Sequence, residues 1–338
     1  MLPTRVGLMG FGRIGRNLFR ILYKREDIQI AAISDIADPR SLEYLLRFDT
    51  ILGRFPDEVS VRDGHLYVVG RQIPLLAGKD PGDVDWGALG VDTVIEATAR
   101  SRMRVEVERH LERGARRVIM CVPPLDAPDI TAVMGVNDDQ LRDEHRIVSN
   151  GSCTAHCATP VIKILHEAFG VQKAFLSSVH AYTNHQRLAD VPTRDKRRGR
   201  AAAENIIPQA TKAGQVVMEL LPELAGRITA MAMNVPVPNG SVIDLVCWHD
   251  KPVTRTAINE VVRTAVASRW KGIVHYEDNP IVSSDIVHSP YSSTFDSMAT
   301  MVLGENVSKT LAWFDNGWGY AHRVVDLIGR LATLQRAA

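Results

Sequence analysis

The 338-residue sequence is short of several things that would have set its class at once. Its four cysteines, Cys121, Cys153, Cys157 and Cys247, form no disulfide framework. Cys153 and Cys157 stand one helical turn apart, but no second ligand pair accompanies them, so no metal is expected. No run of ~18 apolar residues is present to cross a membrane. Met1-Leu2-Pro3-Thr4 leads straight into a strand pattern, without the apolar stretch of a secretory leader. Lys and Arg number 40 against 39 Asp and Glu, and this near balance gives no reason to expect nucleic acid or a membrane surface as partner. Internal repeats and low-complexity stretches are missing too. A reducing cytoplasm is the expected home.

What is present is an ordinary globular composition, 45% apolar and 23% charged. The length implies two domains, since single cores rarely grow past ~250–300 residues. The N-terminal half reads as alternating α and β. Arg5–Met9 is a strand pattern, Gly10-Phe11-Gly12-Arg13-Ile14-Gly15 follows, and a helical pattern covers Arg16–Lys24. G-x-G-x-x-G is a weak signal alone. Here it sits between strand and helix, and a second strand pattern, Ile28–Ile33, ends in Ser34-Asp35 about 20 residues on. That combination predicts a Rossmann dinucleotide-binding domain. The pyrophosphate would lie on the helix N-terminus near Arg13, with the adenosine ribose held by Asp35. A carboxylate there favours NAD over NADP. His65–Val69 with Gln72–Leu76 reads as a hairpin, Asp92–Ala97 and Arg117–Cys121 as strands, and Arg104–Arg113 as a helix.

Midway, Arg146-Ile147-Val148 runs into the turn Ser149-Asn150-Gly151-Ser152. Cys153 then opens a helical pattern carried by Val161, Ile162, Ile164, Leu165 and Phe169. A cysteine at a helix start meets unpaired N–H groups and the positive dipole end, which favour thiolate. From these residues alone, Cys153 fits either a nucleophile or a half-buried free thiol. His180, at the end of the strand pattern Ala174–Tyr182, is the residue that makes the first reading chemical, because it offers a base or cation. Ile228–Val237 and Val242–His249 add further strand patterns, pointing to an α+β domain on a mostly antiparallel sheet. Between Ala174–Tyr182 and Ile228–Val237, Asn184–Lys212 forms a long basic loop. Ile258–Arg269 and Tyr320–Leu334 read as helices.

Ser-Asn-x-Ser-Cys-Thr at Ser149–Thr154, His180-x-Tyr182-Thr183 and Asp315-Asn316-Gly317-Trp318-Gly319-Tyr320 together resemble the glyceraldehyde-3-phosphate dehydrogenase family. Its sister family is erythrose-4-phosphate dehydrogenase. The resemblance runs from about Arg5 to about Ile328. It implies an NAD-binding Rossmann domain over residues 1–151, completed by a C-terminal helix 318–338, and a catalytic domain over 152–317. It also implies a homotetramer, with the basic loop lining active site and subunit interface. The implied reaction oxidises an aldehyde to an acyl phosphate, using inorganic phosphate and NAD, through a thioester on Cys153 with His180 as acid and base. Gly10, Phe11, Gly12, Arg13, Ile14, Asp35, Lys79, Thr98, Cys121 and Asn316 match cofactor-contacting positions.

Ser152, Thr154, Arg198 and Thr211 match the site of the attacking phosphate. Lys212 lies beside that site, and Thr183 and Asn234 match the substrate site. Here the sequence departs from the family pattern. Asn234 replaces an Arg and His185 an Asp, and Thr211-Lys212 follows the erythrose-4-phosphate pattern. Cys121 and Ala99 replace a small hydroxyl residue and a Gly, and Ala155-His156, Met9 and Gly317 also differ. These changes bear on which aldehyde is used. Erythrose-4-phosphate dehydrogenase, or a relative acting on another aldehyde, is the alternative enzyme, and a retired paralogue serving as a binding module is the alternative of another kind. Intact Cys153, His180 and Asn316 argue against the last.

Overall fold

The computed structural model describes residues 2–337. The chain divides into two compact units: Met1–Ala132 with Asn137–Gly151 and Ala321–Ala338, and Val133–Val136 with Ser152–Tyr320. Val133 and Val136 differ from the division expected at residue 151. They are buried in the same core cluster as Leu165, Val262 and Trp270, where each aliphatic side chain contributes about 1.5–3 kcal/mol by leaving water.

The first unit is built on a nine-stranded sheet. Its order is Ile130–Thr131, Ile147–Ser149, Arg117–Met120, Thr93–Glu96, Thr4–Met9, Ile28–Ser34, Arg71–Leu76, His65–Val68, Val59–Arg62. The first seven run parallel, and Leu8, Val94, Ile95, Val118 and Ile119 are fully buried, as strands covered on both faces require. The expected hairpin turns at Val69-Gly70, an unforeseen strand Val59–Arg62 joins it through Asp63-Gly64, and together they form an antiparallel edge, all four turn residues having positive φ. The first helix is Arg13–Leu22, beginning three residues before the expected Arg16 because Gly12 already serves as its N-cap.

The second unit carries a seven-stranded sheet in the order Ile207–Gln209, Ile228–Val235, Lys173–Ala181, Ser241–Trp248, Val307–Phe314, Ser293–Leu303, Val274–Glu277. Neighbours are antiparallel except Lys173–Ala181 with Ile228–Val235, and Val274–Glu277 with Ser293–Leu303. One face, with Leu176, Ile243, Leu245, Cys247 and Phe314, shares a buried core with helices Cys153–Phe169, Ala213–Leu220 and Arg255–Ala267. The opposite face leaves Phe175, Met231, Met301 and Leu303 exposed. Ile207–Gln209, Ser293–Leu303, Val307–Phe314 and Val274–Glu277 were not legible as strands. The first is too short to show a period. The second buries Ser293, Thr294, Asp296 and Ser297 in a run, so its polar residues do not alternate outward. Among the described residues no helix is long and apolar enough to cross a membrane.

Candidate active site

Gly151 turns the chain at φ 58°, and Ser152 then caps the helix Cys153–Phe169, its Oγ accepting from Ala155 N–H at 3.1 Å. Cys153 is therefore the first helical residue and only half-buried. Its Sγ lies 3.5 Å from Nε2 of His180, on the neighbouring strand Lys173–Ala181. The Nδ1 of His180 lies 2.6 Å from the carbonyl of Ala181, which cannot donate, so Nδ1 carries the proton. Nε2 therefore faces the thiol, and in the neutral ring it would offer sulfur a lone pair to receive its proton.

Two further groups are tied to the same backbone. Ala181 N–H donates to Ser241 Oγ (3.0 Å), and that hydroxyl donates to Asn316 Oδ1 (3.3 Å). Asn234 sits beside His180 in the parallel register and donates from Nδ2 to the Ala181 carbonyl at 3.2 Å. Its Oδ1 accepts from Gln186 Nε2 at 3.4 Å and from Gln209 Nε2. Gln186 in turn accepts from Thr183, from its N–H at 2.6 Å and its hydroxyl at 2.8 Å. Asn234 is 3% exposed, and its amide is engaged at both ends. Asp315 accepts from Gly317 and Trp318 N–H at the start of the C-terminal helix and from Asn239, which fixes the turn holding Asn316.

The expected phosphate residues are less closely drawn together. Thr154 is buried, Arg198 pairs with Asp195 (3.4 Å), and Thr211 Oγ1 accepts from Ala213 N–H. Lys212 stands exposed at the N-cap of Ala213–Leu220. The basic loop is partly countered from within, since Arg200 also pairs with Asp190 (3.0 Å) and holds that carboxyl below its usual range, after the Ala201 N–H. Cys157 lies a turn below Cys153 with its Sγ among Ser293 and Ala312, and burial pushes that thiol up to about 12. It is no nucleophile.

In the first unit, a cavity of about 210 Å³ is lined by Gly10, Gly12, Ser34, Asp35, Ile36, Gly78, Lys79, Ala97, Thr98 and Arg100. Gly10 has φ 97°, and a Cβ on it would stand 2.8 Å from the main-chain N of Thr98, so glycine is required there. Asp35 accepts from Phe11 N–H (2.7 Å) and Ala37 N–H (2.9 Å), which aims its carboxylate into the cavity rim. Backbone N–H groups at a helix start, a strand-end carboxylate, and the cations Lys79 and Arg100 fit the adenosine half of a dinucleotide. Phe11, Arg13, Ile14 and Cys121 lie outside this lining. Cys121 is buried, and burial with the Glu96 carboxylate pushes its thiol well up. Arg100, Gly78 and Ile36 were not foreseen. Of these, only Arg100 had a signal, a cation two residues past a strand-end Thr. Gln186, Gln209 and Ser241 had none. Among the described residues no group of three or more His, Cys, Asp or Glu is placed to hold a metal ion.

With its dinucleotide-type pocket and its cysteine–histidine pair, the protein is of the class of NAD-dependent oxidoreductases. Residues 4–104 match the family profile for the glyceraldehyde 3-phosphate dehydrogenase NAD binding domain. Residues 152–316 match the profile for the C-terminal domain. The chain is 45% identical over 333 residues to the glyceraldehyde-3-phosphate dehydrogenase of Geobacillus stearothermophilus, covering 98% of this chain and 99% of the relative. Against that of Mycobacterium leprae the identity is 46% over 335 residues, covering 97% and 98%. The chain belongs to the glyceraldehyde-3-phosphate dehydrogenase family.

Proposed function

We propose that the protein oxidises the aldehyde of glyceraldehyde 3-phosphate to an acyl phosphate, with Cys153 as nucleophile and His180 as acid and base. The observation that carries this reading is the 3.5 Å approach of Cys153 Sγ to a His180 Nε2 whose partner nitrogen is anchored on the Ala181 carbonyl. His180 takes the thiol proton, and the sulfur adds to the aldehyde carbon. The Cys153 main-chain N–H, at a helix start, and the His180 N–H stabilise the resulting oxyanion. NAD, when bound, accepts the hydride lost from that carbon. His180, having first returned its proton to the oxyanion to give the thiohemiacetal hydroxyl, takes that proton back as the hydride leaves, and a thioester remains on Cys153. Inorganic phosphate adds to the thioester carbonyl, Cys153 leaves as thiolate, and the acyl phosphate is released. Ser152, Thr154, Arg198 and Thr211 are the residues assigned to that phosphate. Asn316, whose Oδ1 accepts from the Ser241 hydroxyl, is assigned to the nicotinamide carboxamide, where its NH2 would help select the ring face. Gly10, Phe11, Gly12, Arg13, Ile14, Asp35, Lys79 and Thr98 are assigned to the rest of the cofactor.

A second reading, an aldehyde other than the triose phosphate, is favoured by Asn234. A neutral, fully engaged amide occupies the position expected to bind the substrate phosphate with charge, and charge-assisted bonds contribute roughly 1.5–3 kcal/mol each. Purified protein assayed with triose and tetrose phosphates and with unphosphorylated aldehydes decides between them. NADH formation that requires inorganic phosphate with none of these aldehydes would remove both.

The assembly is a homotetramer on this reading. Its support is the open sheet face, where Phe175, Met231, Met301 and Leu303 are exposed around the Lys309–Asp244 ion pair, a mixed surface that a second copy would cover. Light scattering of the eluted peak tests it. Four unpaired cysteines support a reducing compartment, the cytoplasm.

A further inference from the structure

Beneath the cofactor cavity lies a chain of buried polar groups that the reaction does not use. Trp86, His110 and Glu96 are each 0% exposed. Trp86 Nε1–H donates to His110 Nδ1 at 2.9 Å. An indole N–H can only donate, so Nδ1 is an acceptor and the ring proton is on Nε2, 3.1 Å from Glu96 Oε2. The other oxygen, Glu96 Oε1, accepts from Thr98 N–H at 2.9 Å and from the Thr98 hydroxyl. That hydroxyl in turn accepts from Arg100 N–H at 3.2 Å. Thr98 and Arg100 both line the cavity, and the Thr98 main chain packs directly on Gly10. Between them, Ala99 is held at φ 61°, a left-handed conformation that costs a residue with a Cβ.

From this we infer that Glu96 is a positioning residue for cofactor binding: locked by His110 and Trp86, it holds the turn Thr98–Ala99–Arg100 in a strained form that shapes the adenosine pocket. The inference rests on reading that cavity as the cofactor site. A carboxylate is needed rather than an amide, because both sides present fixed donors. Glu96→Gln must set its NH2 either against His110 Nε2–H, whose tautomer Trp86 dictates, or against the Thr98 main-chain N–H, which cannot be turned round. Either way a buried donor loses its acceptor and the turn loses its anchor.

The test measures dissociation constants for NAD and ADP-ribose with the full-length protein, together with kcat at saturating NAD and the alkylation rate of Cys153 without NAD. Glu96→Gln is expected to weaken both ligands by about tenfold or more, with kcat and alkylation within about threefold. Thr98→Ala is expected to weaken them about fivefold, yet to add less than about twofold on top of Glu96→Gln, because both act through one turn. Ala99→Gly, which removes the strain, should recover about fivefold in the Glu96→Gln background. Unchanged affinities in Glu96→Gln, additive effects with Thr98→Ala, or kcat and alkylation falling in step with affinity would each overturn the inference. If Glu96→Gln does not fold, Thr98→Ala and its recovery by Ala99→Gly serve alone, and unchanged affinity in Thr98→Ala overturns it. Asp35→Ala separates the two levels. If it leaves NAD affinity unchanged, the cavity is not the cofactor site and the inference falls with that reading. If it weakens NAD while Glu96→Gln does not, only the inference falls.

Discussion

The two units hold their ligand-facing groups by different means. In the first, the pocket is made mostly of main chain: Gly10 packed on Thr98, N–H groups at a helix start, and Asp35 fixed by two backbone donors. In the second, the groups around Cys153 are side chains hung on one strand end, with His180 and Asn234 sharing the Ala181 carbonyl and Ser241 linking Ala181 to Asn316. A main-chain site is set by where glycine is compulsory, so it resists change. A side-chain site can be altered by one residue without disturbing the fold. Asn234 is such a residue.

The largest expected effect tests the second unit at Cys153. Cys153→Ser should lower kcat by about a thousandfold or more, because a hydroxyl is not an adequate substitute for thiolate, while the NAD dissociation constant stays within about twofold. Appreciable NADH formation by that variant would sink the thioester route. His180→Gln comes next, with a loss of about 10²–10⁴ in kcat for a missing proton-transfer group. The first unit is tested through its carboxylate. Asp35 should give NAD at least about a hundredfold advantage in kcat/KM over NADP, since a 2′-phosphate would meet it directly. Equal values would mean the main-chain pocket does not set cofactor choice.

Asn234→Arg is expected to lower KM for glyceraldehyde 3-phosphate by about tenfold, as a fork-shaped cation meets the phosphate. If the natural aldehyde is another one, the same change should impair it. A wild type that already saturates at micromolar triose phosphate, with no change in the variant, removes the argument from Asn234. The smallest effect is Cys157→Ser, with activity within about twofold. Its thiol does show in stability. Burial pushes the Cys157 and Cys247 thiols up to about 12 in the folded state, against about 8.5 for an unfolded Cys. Below about pH 8.5 both states hold these protons. Above it the unfolded chain releases them and the folded chain does not, so each thiol should lower stability by about 1.4 kcal/mol per pH unit until the folded thiol titrates. Urea unfolding at pH 8 and pH 10 should show a flatter decline in the doubly substituted Ser variant.

Legibility in the sequence followed the same division. The strand, glycine turn and Asp35 spacing in the first unit are local patterns, and the parallel sheet they announce is there. The helix at Cys153 and the strand ending at His180 were equally plain, because capping and alternation act over a few residues. What stayed hidden depends on contacts distant in sequence. The strand Ser293–Leu303 buries its polar residues, Val133 and Val136 join a core formed by residues far along the chain, and Gln186 and Gln209 matter only because both reach Asn234. No periodicity records such meetings. The buried Glu96 was invisible for a related reason: a lone Glu at a strand end says nothing until His110 and Trp86 are seen behind it.

The Ala181 carbonyl has two lone pairs, and His180 and Asn234 draw on both. A mutation at residue 234 therefore acts twice, once on the network with Gln186 and Gln209 and once on the carbonyl that anchors the His180 ring. On the proposed mechanism, a change at 234 that suits a new aldehyde would alter the setting of the base in the same step. The first substitution already changes the background on which every later one is selected, so the order of mutations at positions 180, 186, 209 and 234 should constrain which specificities are reachable at all.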